Sequence, residues 1–274
     1  MTPKFTDLPR PLLVGSLRHR TTARTIADIK ACQEDGARAF ILHIQRLDDE
    51  CRKAAELSKI FAATRHPVMA INYRVPDGPS DEDRLTKLLE AARAGAACID
   101  LPGDIFDADS RGSLKNCPLP FGAANPEEIS MRPKCIEKQK LAIEQAHALG
   151  AQVLMSTHCL GAALDCSQAV ALAIEIESRG ADIVKIVTAC PSVDHALEML
   201  RTMVELKRTL RVPFVYICTG PHGQLIRPLA PLLGSMLVFG HHEYDENSNM
   251  AKPLLSDLRE FYRIMQWRVD DHIG

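Results

Sequence analysis

The segment Gly180-Ala181-Asp182-Ile183-Val184-Lys185-Ile186-Val187 is an apolar, β-branched run that contains a single lysine. The run predicts a buried β-strand. Burying an ammonium in such a strand is costly unless the amine has a use. Desolvation can turn a lysine into a neutral amine that attacks a carbonyl to form a Schiff base. The alternative is a lysine on an edge strand whose amine extends to water.

Similar apolar runs alternate with amphipathic helical stretches from one end of the chain to the other, which favours βα units around a parallel sheet. Strands are predicted at Leu12–Leu17, Ala39–Ile44, Val68–Tyr73, Ala97–Leu101, Gln152–Ser156, Asp182–Val187, Pro213–Cys218 and Ser235–Phe239. Helices are predicted at Thr22–Asp35, Asp49–Thr64, Ser80–Ala94, Pro133–Leu149, Ser167–Arg179, Ser192–Leu210, Gln224–Leu233 and Pro253–Trp267.

Eight strand-helix units in about 250 residues are typical of a closed barrel. An open dinucleotide-binding sheet is disfavoured, because Gly15 stands alone after the first strand without a Gly-x-Gly-x-x-Gly motif. We therefore predict an α/β protein, a (β/α)8 TIM barrel formed by residues 1–274 as a single domain. Residues 102–132, rich in Pro, Gly, Asp and Asn, are predicted to be an inserted loop after strand four. Such a loop could be a lid, an oligomer contact or an ornament.

The overall composition is that of an ordinary globular protein, with 46% hydrophobic and 25% charged residues and a formal net charge of -2. This balance gives no reason to expect nucleic acid or an anionic membrane as a partner. The sequence has no apolar targeting segment at its start and no apolar run long enough to span a membrane. We therefore expect a soluble, cytoplasmic protein. Nine cysteines without C-x-x-C pairs indicate reduced thiols.

Polar residues follow the predicted strands, on the face where barrel enzymes place their catalytic groups. His158 ends strand five, one strand-helix step before Lys185, so the imidazole and the amine are expected to be neighbours. Histidine is well suited to proton transfer near neutral pH, and the pair therefore favours an imine-forming lyase or aldolase. The alternative for His158 is a hydrogen-bonding role at the strand end.

Two arginines at predicted strand ends, Arg74 and Arg227, favour an anionic substrate, because a guanidinium matches a carboxylate or phosphate. Backbone N–H groups of Gly220-Pro221-His222-Gly223 could bind an anion, although a plain turn explains this segment nearly as well. We expect a carboxylated small molecule as substrate and no cofactor. A metal site remains an alternative, although adjacent histidines cannot easily reach one ion. Its candidate ligands are His222, His241, His242 and Glu243.

Several of these segments resemble the type I 3-dehydroquinate dehydratase family, over roughly residues 12–265. Val153-Leu154-Met155-Ser156-Thr157-His158 is similar to the family's strand with the catalytic histidine, and residues 180–186 are similar to its segment with the imine lysine. Further similar segments are Arg46-Leu47-Asp48, Asn72-Tyr73-Arg74, residues 220–227 and residues 233–240. The resemblance implies a TIM barrel in which Lys185 and His158 are catalytic. It also implies substrate-binding roles for Ser16, Arg46, Arg74 and Arg227.

One departure from the family pattern concerns the histidine. The resemblance implies a glutamate directly after Ile99-Asp100-Leu101 that orients the imidazole, but Pro102 stands there. Losing an orienting carboxylate weakens a histidine base, by orders of magnitude in other histidine catalysts. Candidates to replace the glutamate are Asp100, Asp104 and a residue of the long insertion.

Two further departures concern the substrate. The acidic residue that the resemblance implies just before Arg46 is absent, since Ile44 and Gln45 stand there. The family's closing segment after strand eight, a Ser/Ala-Pro-Gly-Gln sequence, is replaced by residues 241–249, which are rich in His, Glu, Asp and Asn.

The resemblance implies a hydro-lyase that captures a ketone on Lys185 and converts 3-dehydroquinate to 3-dehydroshikimate. The departures leave two alternatives open. One is a class I aldolase or other imine-dependent lyase acting on a different hydroxy-keto acid or sugar phosphate. The other is a barrel that has lost catalysis and binds a carboxylated ligand or a partner protein. An apolar face in the last helix could pack on the barrel or form a homodimer contact.

Overall fold

The computed structural model describes residues 3–75, 77–112, 128–160, 163–245, 248 and 250–272. Eight parallel strands form one sheet in the order β7-β6-β5-β4-β3-β2-β1-β8. The strands are β1 Leu12–Leu17, β2 Ala39–His43, β3 Val68–Ile71, β4 Cys98–Pro102, β5 Gln152–Cys159, β6 Ile183–Thr188, β7 Phe214–Cys218 and β8 Leu237–Gly240. A backbone hydrogen bond of 2.7 Å from Met236 to Phe214 joins the two ends of the sheet. The predicted (β/α)8 barrel is confirmed.

Helices surround this sheet and follow its strands along the chain. They are α1 Thr22–Glu34, α2 Ala54–Ala62, α3 Asp81–Ala94, α4 Ala108–Gly112, α5 Pro133–Ala148, α6 Cys166–Ser178, α7 Val193–Thr209, α8 Gly223–Leu229 and α9 Leu255–Ile264. Short polar side chains cap several N-termini: Ser80 accepts a hydrogen bond from the Asp83 N–H, and Asp165 forms a capping box with Gln168. None of the helices in the described ranges is long and apolar enough to cross a membrane.

The strands separate two apolar layers, because successive side chains of a strand point to opposite faces. Along β6, Val184 and Ile186 pack in the layer between sheet and helices, whereas Ile183 and Val187 pack in the layer inside the barrel. Lys185 lies between these last two on the same alternation and therefore faces the barrel interior. In register, Ser156 of β5 lies opposite Lys185.

Some predicted elements differ from the observed ones. The helix predicted at Asp49–Thr64 is interrupted, because Lys53 is extended at φ -67° and ψ 146°; a 3-10 turn at Asp49–Arg52 precedes α2. The helix predicted at Gln224–Leu233 becomes α8 followed by a 3-10 turn at Ala230–Leu233, and Pro228 and Pro231 each lack a backbone donor. The last helix is shorter at both ends than predicted.

Strand β5 is longer than predicted, reaching Cys159 instead of Ser156. It pairs with β6 along its whole second half, and His158 therefore lies within a strand opposite Val187. The backbone of His158 is therefore held by strand pairing and does not belong to a loop after the strand. Arg227 likewise lies in the last turn of α8, not at its start as predicted. Gly220–Gly223 forms a turn, with the Gly223 N–H donating to the Gly220 carbonyl.

The predicted insertion begins at the end of β4, contains the short helix α4 and returns to α5. Residues 113–127 of it lie outside the described residues. Its two described ends are joined, because the Ser130 N–H donates to the Gly103 carbonyl and the Gly103 N–H donates to the Ser156 carbonyl. A Cβ at Gly103 would lie 2.9 Å from the Glu128 carbonyl oxygen, so this close approach requires glycine.

Candidate active site

A cavity of about 350 Å³ opens at the carboxyl ends of the barrel strands, a volume suited to a small molecule. Its lining residues in the described part of the chain are Arg18, Ile41, His43, Ile71, Tyr73, His158, Leu160, Lys185, Val187, Ile217, Thr219, Arg227, Phe239 and Lys252. Apolar side chains form the walls, and none of these lining residues is acidic. Four of these residues, Arg18, Lys185, Arg227 and Lys252, carry cationic side chains. Their positive charge favours an anionic ligand.

The amine of Lys185 lies in this cavity at 4% exposure for the residue. It donates to the Tyr73 hydroxyl at 2.5 Å and to Asp100 Oδ2 at 3.0 Å. The carboxylate of Asp100 is itself held, because Ser156 Oγ donates to Oδ1 at 2.5 Å and the Tyr73 hydroxyl donates to Oδ2 at 3.0 Å. The buried amine therefore has a charged partner, unlike the isolated amine that the apolar run alone suggested.

The phenol of Tyr73 connects the amine and the carboxylate. Burial, together with the negative charges of Asp100 and Glu128, raises the pKa of Tyr73 well above its usual value. The phenol therefore keeps its proton at neutral pH. It can accept a hydrogen bond from Lys185 while donating one to Asp100, so it offers a short route for a proton between the two.

His158 lies beside this group. The Tyr73 and His158 rings meet edge to face with their centroids 5.0 Å apart. Imidazole Nδ1 lies 2.5 Å from Glu128 Oε2, and both residues are buried. An ionised carboxylate only accepts hydrogen bonds, so Nδ1 carries the proton and Nε2 is left as the basic nitrogen. No hydrogen bond to Nε2 is formed by any residue that the structure describes.

Glu128 belongs to the returning end of the insertion and has a positive φ of 46°, uncommon for a residue other than glycine. The carboxylate that contacts the imidazole therefore belongs to a residue of the long insertion, and it is neither Asp100 nor Asp104. Of the three candidates, Asp100 contacts Lys185 and Asp104 contacts Arg74. The histidine thus has a carboxylate partner although Pro102 replaces the glutamate that the resemblance implies.

Arg227 lines the cavity at 2% exposure. Its Nη2 donates to the Cys218 carbonyl at 2.8 Å, while Nε and Nη1 form no hydrogen bond with any residue that the structure describes. Burial lowers the pKa of Arg227 to about 10, so the guanidinium stays charged at neutral pH. Two unused donors and a positive charge facing an apolar cavity are suited to a carboxylate.

The other predicted substrate ligands occupy different places. Ser16 is buried at the end of β1, and its hydroxyl accepts a hydrogen bond from Lys252 Nζ at 2.8 Å. Arg46 is partly buried after β2 and is not among the described residues that line the cavity. Substrate contacts of Ser16 and Arg46 stay predictions.

Arg74 differs from the expectation of an anion ligand. Its Nε and Nη2 donate to Asp81 at 3.0 and 2.7 Å, and Nη1 contacts the Asp104 carboxylate. The guanidinium fork is therefore occupied by two buried carboxylates of the protein itself, one at the start of α3 and one after β4. This arrangement joins three segments and does not direct Arg74 into the cavity lined by Lys185.

Two of the histidines proposed as metal ligands, His241 and His242, have surroundings that do not favour metal binding. His242 forms an ion pair with Asp35 at 2.6 Å, and burial and nearby cations lower the pKa of His241 to about 4. Within the described ranges, no group of three His, Cys, Asp or Glu side chains converges as metal ligands would. The cysteines in those ranges are free thiols, and Cys117 lies outside them.

Several residues of the site were not predicted from the sequence. Tyr73 stands in the quoted Asn72-Tyr73-Arg74 segment, one position before the arginine that was singled out. His43 precedes the predicted end of strand two, and burial followed by the charge of Lys252 lowers its pKa well below its usual value. Glu128 and Lys252 lie in long connections whose path no local pattern predicts. An acidic residue late in the insertion was the one available signal for Glu128.

Comparison with known proteins identifies the family and the fold. The family model for type I 3-dehydroquinase matches residues 15–268. The 3-dehydroquinate dehydratase of Aromatoleum aromaticum is 25% identical over 234 residues, which cover 80% of this chain and 86% of that protein. A 3-dehydroquinate dehydratase of Dehalococcoides mccartyi is 23% identical over 241 residues, covering 86% and 89%.

Solved structures show the same fold. The crystal structure of 3-dehydroquinate dehydratase from Geobacillus kaustophilus has a TM-score of 0.77 at 14% identity and covers 96% of each chain. That of the type I enzyme from Clostridium difficile, solved with covalently modified comenic acid, has a TM-score of 0.74 at 13% identity and covers 99% and 98%.

Proposed function

Because the chain belongs to the type I 3-dehydroquinase family, we propose that it is a hydro-lyase that converts 3-dehydroquinate to 3-dehydroshikimate through a Schiff base on Lys185. One observation carries the assignment of roles: the amine of Lys185, the imidazole of His158 and the guanidinium of Arg227 line one cavity. They supply a nucleophile, a base and a carboxylate ligand.

The reaction begins with the attack of Lys185 Nζ on the substrate ketone. The amine must first lose a proton, and Asp100 Oδ2 at 3.0 Å is placed to receive it, directly or through Tyr73. The carbinolamine that forms takes this proton back from Asp100, loses its hydroxyl as water and leaves a protonated imine. This iminium draws electrons from the neighbouring carbon and acidifies its protons.

His158 acts next as the base. Its Nε2 removes a proton from the carbon beside the iminium, and the electron pair moves to nitrogen to form an enamine. The enamine expels the β-hydroxyl, which takes the proton from the imidazolium and leaves as water. A second water hydrolyses the product imine and restores Lys185, so the net change is the loss of one water.

Glu128 and Arg227 support these steps. With Nδ1 held at 2.5 Å from the Glu128 carboxylate, the imidazolium that forms during proton removal gains a neighbouring negative charge. Arg227 holds the substrate carboxylate with the donors that the described residues leave unused. The apolar walls exclude water from the iminium, which limits its early hydrolysis.

The test is borohydride trapping with 3-dehydroquinate, followed by peptide mass mapping. Borohydride reduces the imine to a stable amine, so we expect a modified peptide containing Lys185. Lys185→Met should abolish the adduct, and Lys252→Met, which removes the other cavity lysine, should retain it. An adduct on Lys252, or none in the wild type, would overturn the assignment.

An assay of enone absorbance distinguishes dehydration from the aldolase alternative. A dehydratase produces a conjugated product from 3-dehydroquinate, whereas carbon-carbon cleavage does not. We expect the absorbance to appear with wild-type protein and to be lost in Lys185→Met. Trapping at Lys185 without the enone would favour an imine-dependent lyase with another substrate.

A further inference from the structure

A second lysine reaches the cavity from the segment between β8 and α9. Lys252 Nζ donates to Ser16 Oγ at 2.8 Å and lies 5.9 Å from the centre of the Phe239 ring. The amine of Lys185 lies 6.0 Å from the same ring centre. The two amines therefore approach one aromatic side chain within a single cavity, and Lys252 is not a surface lysine that happens to be near.

The charged groups that act most strongly on Lys252 are cations, although one of them, Lys185, is itself paired with Asp100. The other two are Arg227 and Arg18. Among the described residues, neither Lys252 nor Arg227 contacts a carboxylate. Cations placed together in an apolar cavity repel each other. A bound anion would reduce this repulsion, so the cavity favours a negatively charged ligand.

We propose that Lys252 is a second ligand of the substrate carboxylate, opposite Arg227, and that binding of this carboxylate is coupled to uptake of a proton by the Lys252 amine. The inference rests on the proposed function for the identity of the substrate. In this proposal, the segment after strand eight contributes a charged contact with the substrate. The family resemblance implied a glutamine in that segment.

The coupling follows from the environment of the amine. Burial first, and then the charges of Arg227, Arg18 and Lys185, lower the pKa of Lys252 well below its usual value. A carboxylate bound beside the amine favours the ammonium and reverses this effect. Because a bound carboxylate raises the affinity of the Lys252 amine for a proton above that in the free protein, ligand binding is linked to proton uptake.

Two histidines near Lys252 could also take up protons. The pKa values of His43 and His241 are lowered by burial and then by the charge of Lys252. A carboxylate in the cavity would act on them as well. Proton uptake by Lys252 must therefore disappear when this side chain is replaced, whereas proton uptake by the histidines would persist.

The experiment uses two probes that cannot form an imine, cyclohexanecarboxylate and the neutral cyclohexanecarboxamide. Titration calorimetry at a series of pH values from neutral to alkaline, in buffers with different heats of ionisation, gives the affinity and the number of protons taken up. We expect the wild type to prefer the carboxylate, with proton uptake on binding. Lys252→Met should weaken carboxylate binding about tenfold, the value of one charged contact, and abolish the uptake.

Two further variants make the result specific. Lys252→Arg keeps a charge that does not titrate, so it should retain the preference for carboxylate but lose the uptake. Lys59→Met removes an exposed lysine of α2 and should behave as the wild type. Equal weakening of both probes in Lys252→Met, or uptake that persists in it, would overturn the proposal.

Failure of the proposal for Lys252 can be distinguished from failure of the proposed reaction. Turnover of 3-dehydroquinate and borohydride trapping at Lys185 are measured on the same preparations. If they fail while the carboxylate preference depends on Lys252, the proposed substrate is wrong and the anion site stands. If they succeed while Lys252→Met binds both probes as the wild type does, the reaction stands and the role of Lys252 fails.

Discussion

The imidazole of His158 can act as a base through Nε2 only while Nδ1 keeps its proton. Glu128, 2.5 Å from Nδ1, holds that proton in place. The contact fixes both the tautomer and the orientation of the ring, and it stabilises the imidazolium that forms when a proton is removed. Glu128 is therefore a positioning residue, since it acts on the substrate through His158.

Replacing Glu128 by Gln keeps the size of the side chain and removes its charge. We expect kcat for 3-dehydroquinate to fall about 10- to 100-fold with little change in KM. The combination of a lowered kcat with an unchanged KM separates this effect from simple damage to the fold. Glu128→Asp, which keeps the charge, should restore part of the rate. An unchanged kcat in Glu128→Gln would count against the role.

At the scale of elements, the position of Glu128 depends on how the insertion is fastened to the barrel. Arg179, directly after α6, donates to the Ser130 carbonyl at 2.9 Å and to Gln139 Oε1 at 2.5 Å. Gln139 of α5 in turn donates to the Gly103 carbonyl at 2.9 Å. These buried contacts hold both ends of the insertion and bring Glu128 to His158.

These long-range hydrogen bonds explain which features of the fold and the site could be predicted from the sequence and which could not. The barrel, its strand order and the places of Lys185 and His158 followed from periodicity and spacing, because each element is defined by local residues. The contact of Glu128 with His158 depends on a long connection whose ends are fixed by Arg179 and Gln139, both of which read as ordinary helix residues. Long-range hydrogen bonds of this kind leave no local pattern.

Removing Arg179 should therefore act on catalysis through Glu128. In Arg179→Met we expect kcat to fall about tenfold, because the insertion end loses several buried hydrogen bonds. In a double-mutant cycle, Glu128→Gln should cost much less in the Arg179→Met background than in the wild type. Lys59→Met, on the exposed surface of α2, serves as the uncoupled control. Additive effects of the two substitutions would show that Arg179 does not position Glu128.

For the whole molecule, the connection between β3, α3 and the segment after β4 depends on a buried charge cluster. Arg74 pairs with Asp81 and Asp104, and Arg84 donates to Asp81 at 2.7 Å and to the Asn72 carbonyl at 2.8 Å. From sequence, Arg74 looked like a substrate ligand, since a strand-end arginine has the same local appearance in both roles. Only the packing of distant segments distinguishes them.

The cluster predicts how the protein responds to Arg74→Met and to acid. Burial alone would raise the pKa of Asp81, but its contacts with Arg74 and Arg84 overcome this and lower it to about 2. A carboxyl with a lowered pKa stabilises the fold at neutral pH, and this contribution is lost as pH falls from its unfolded value towards about 2. Arg74→Met leaves the buried Asp104 without a cationic partner and Asp81 with Arg84 alone, and it should lower the free energy of unfolding by about 3–5 kcal/mol at neutral pH. Urea unfolding at several pH values measures both effects, and we expect the difference between variant and wild type to shrink in acid, where Asp81 is protonated in both. A variant that unfolds like the wild type but has a raised KM for 3-dehydroquinate would instead support the substrate-binding role.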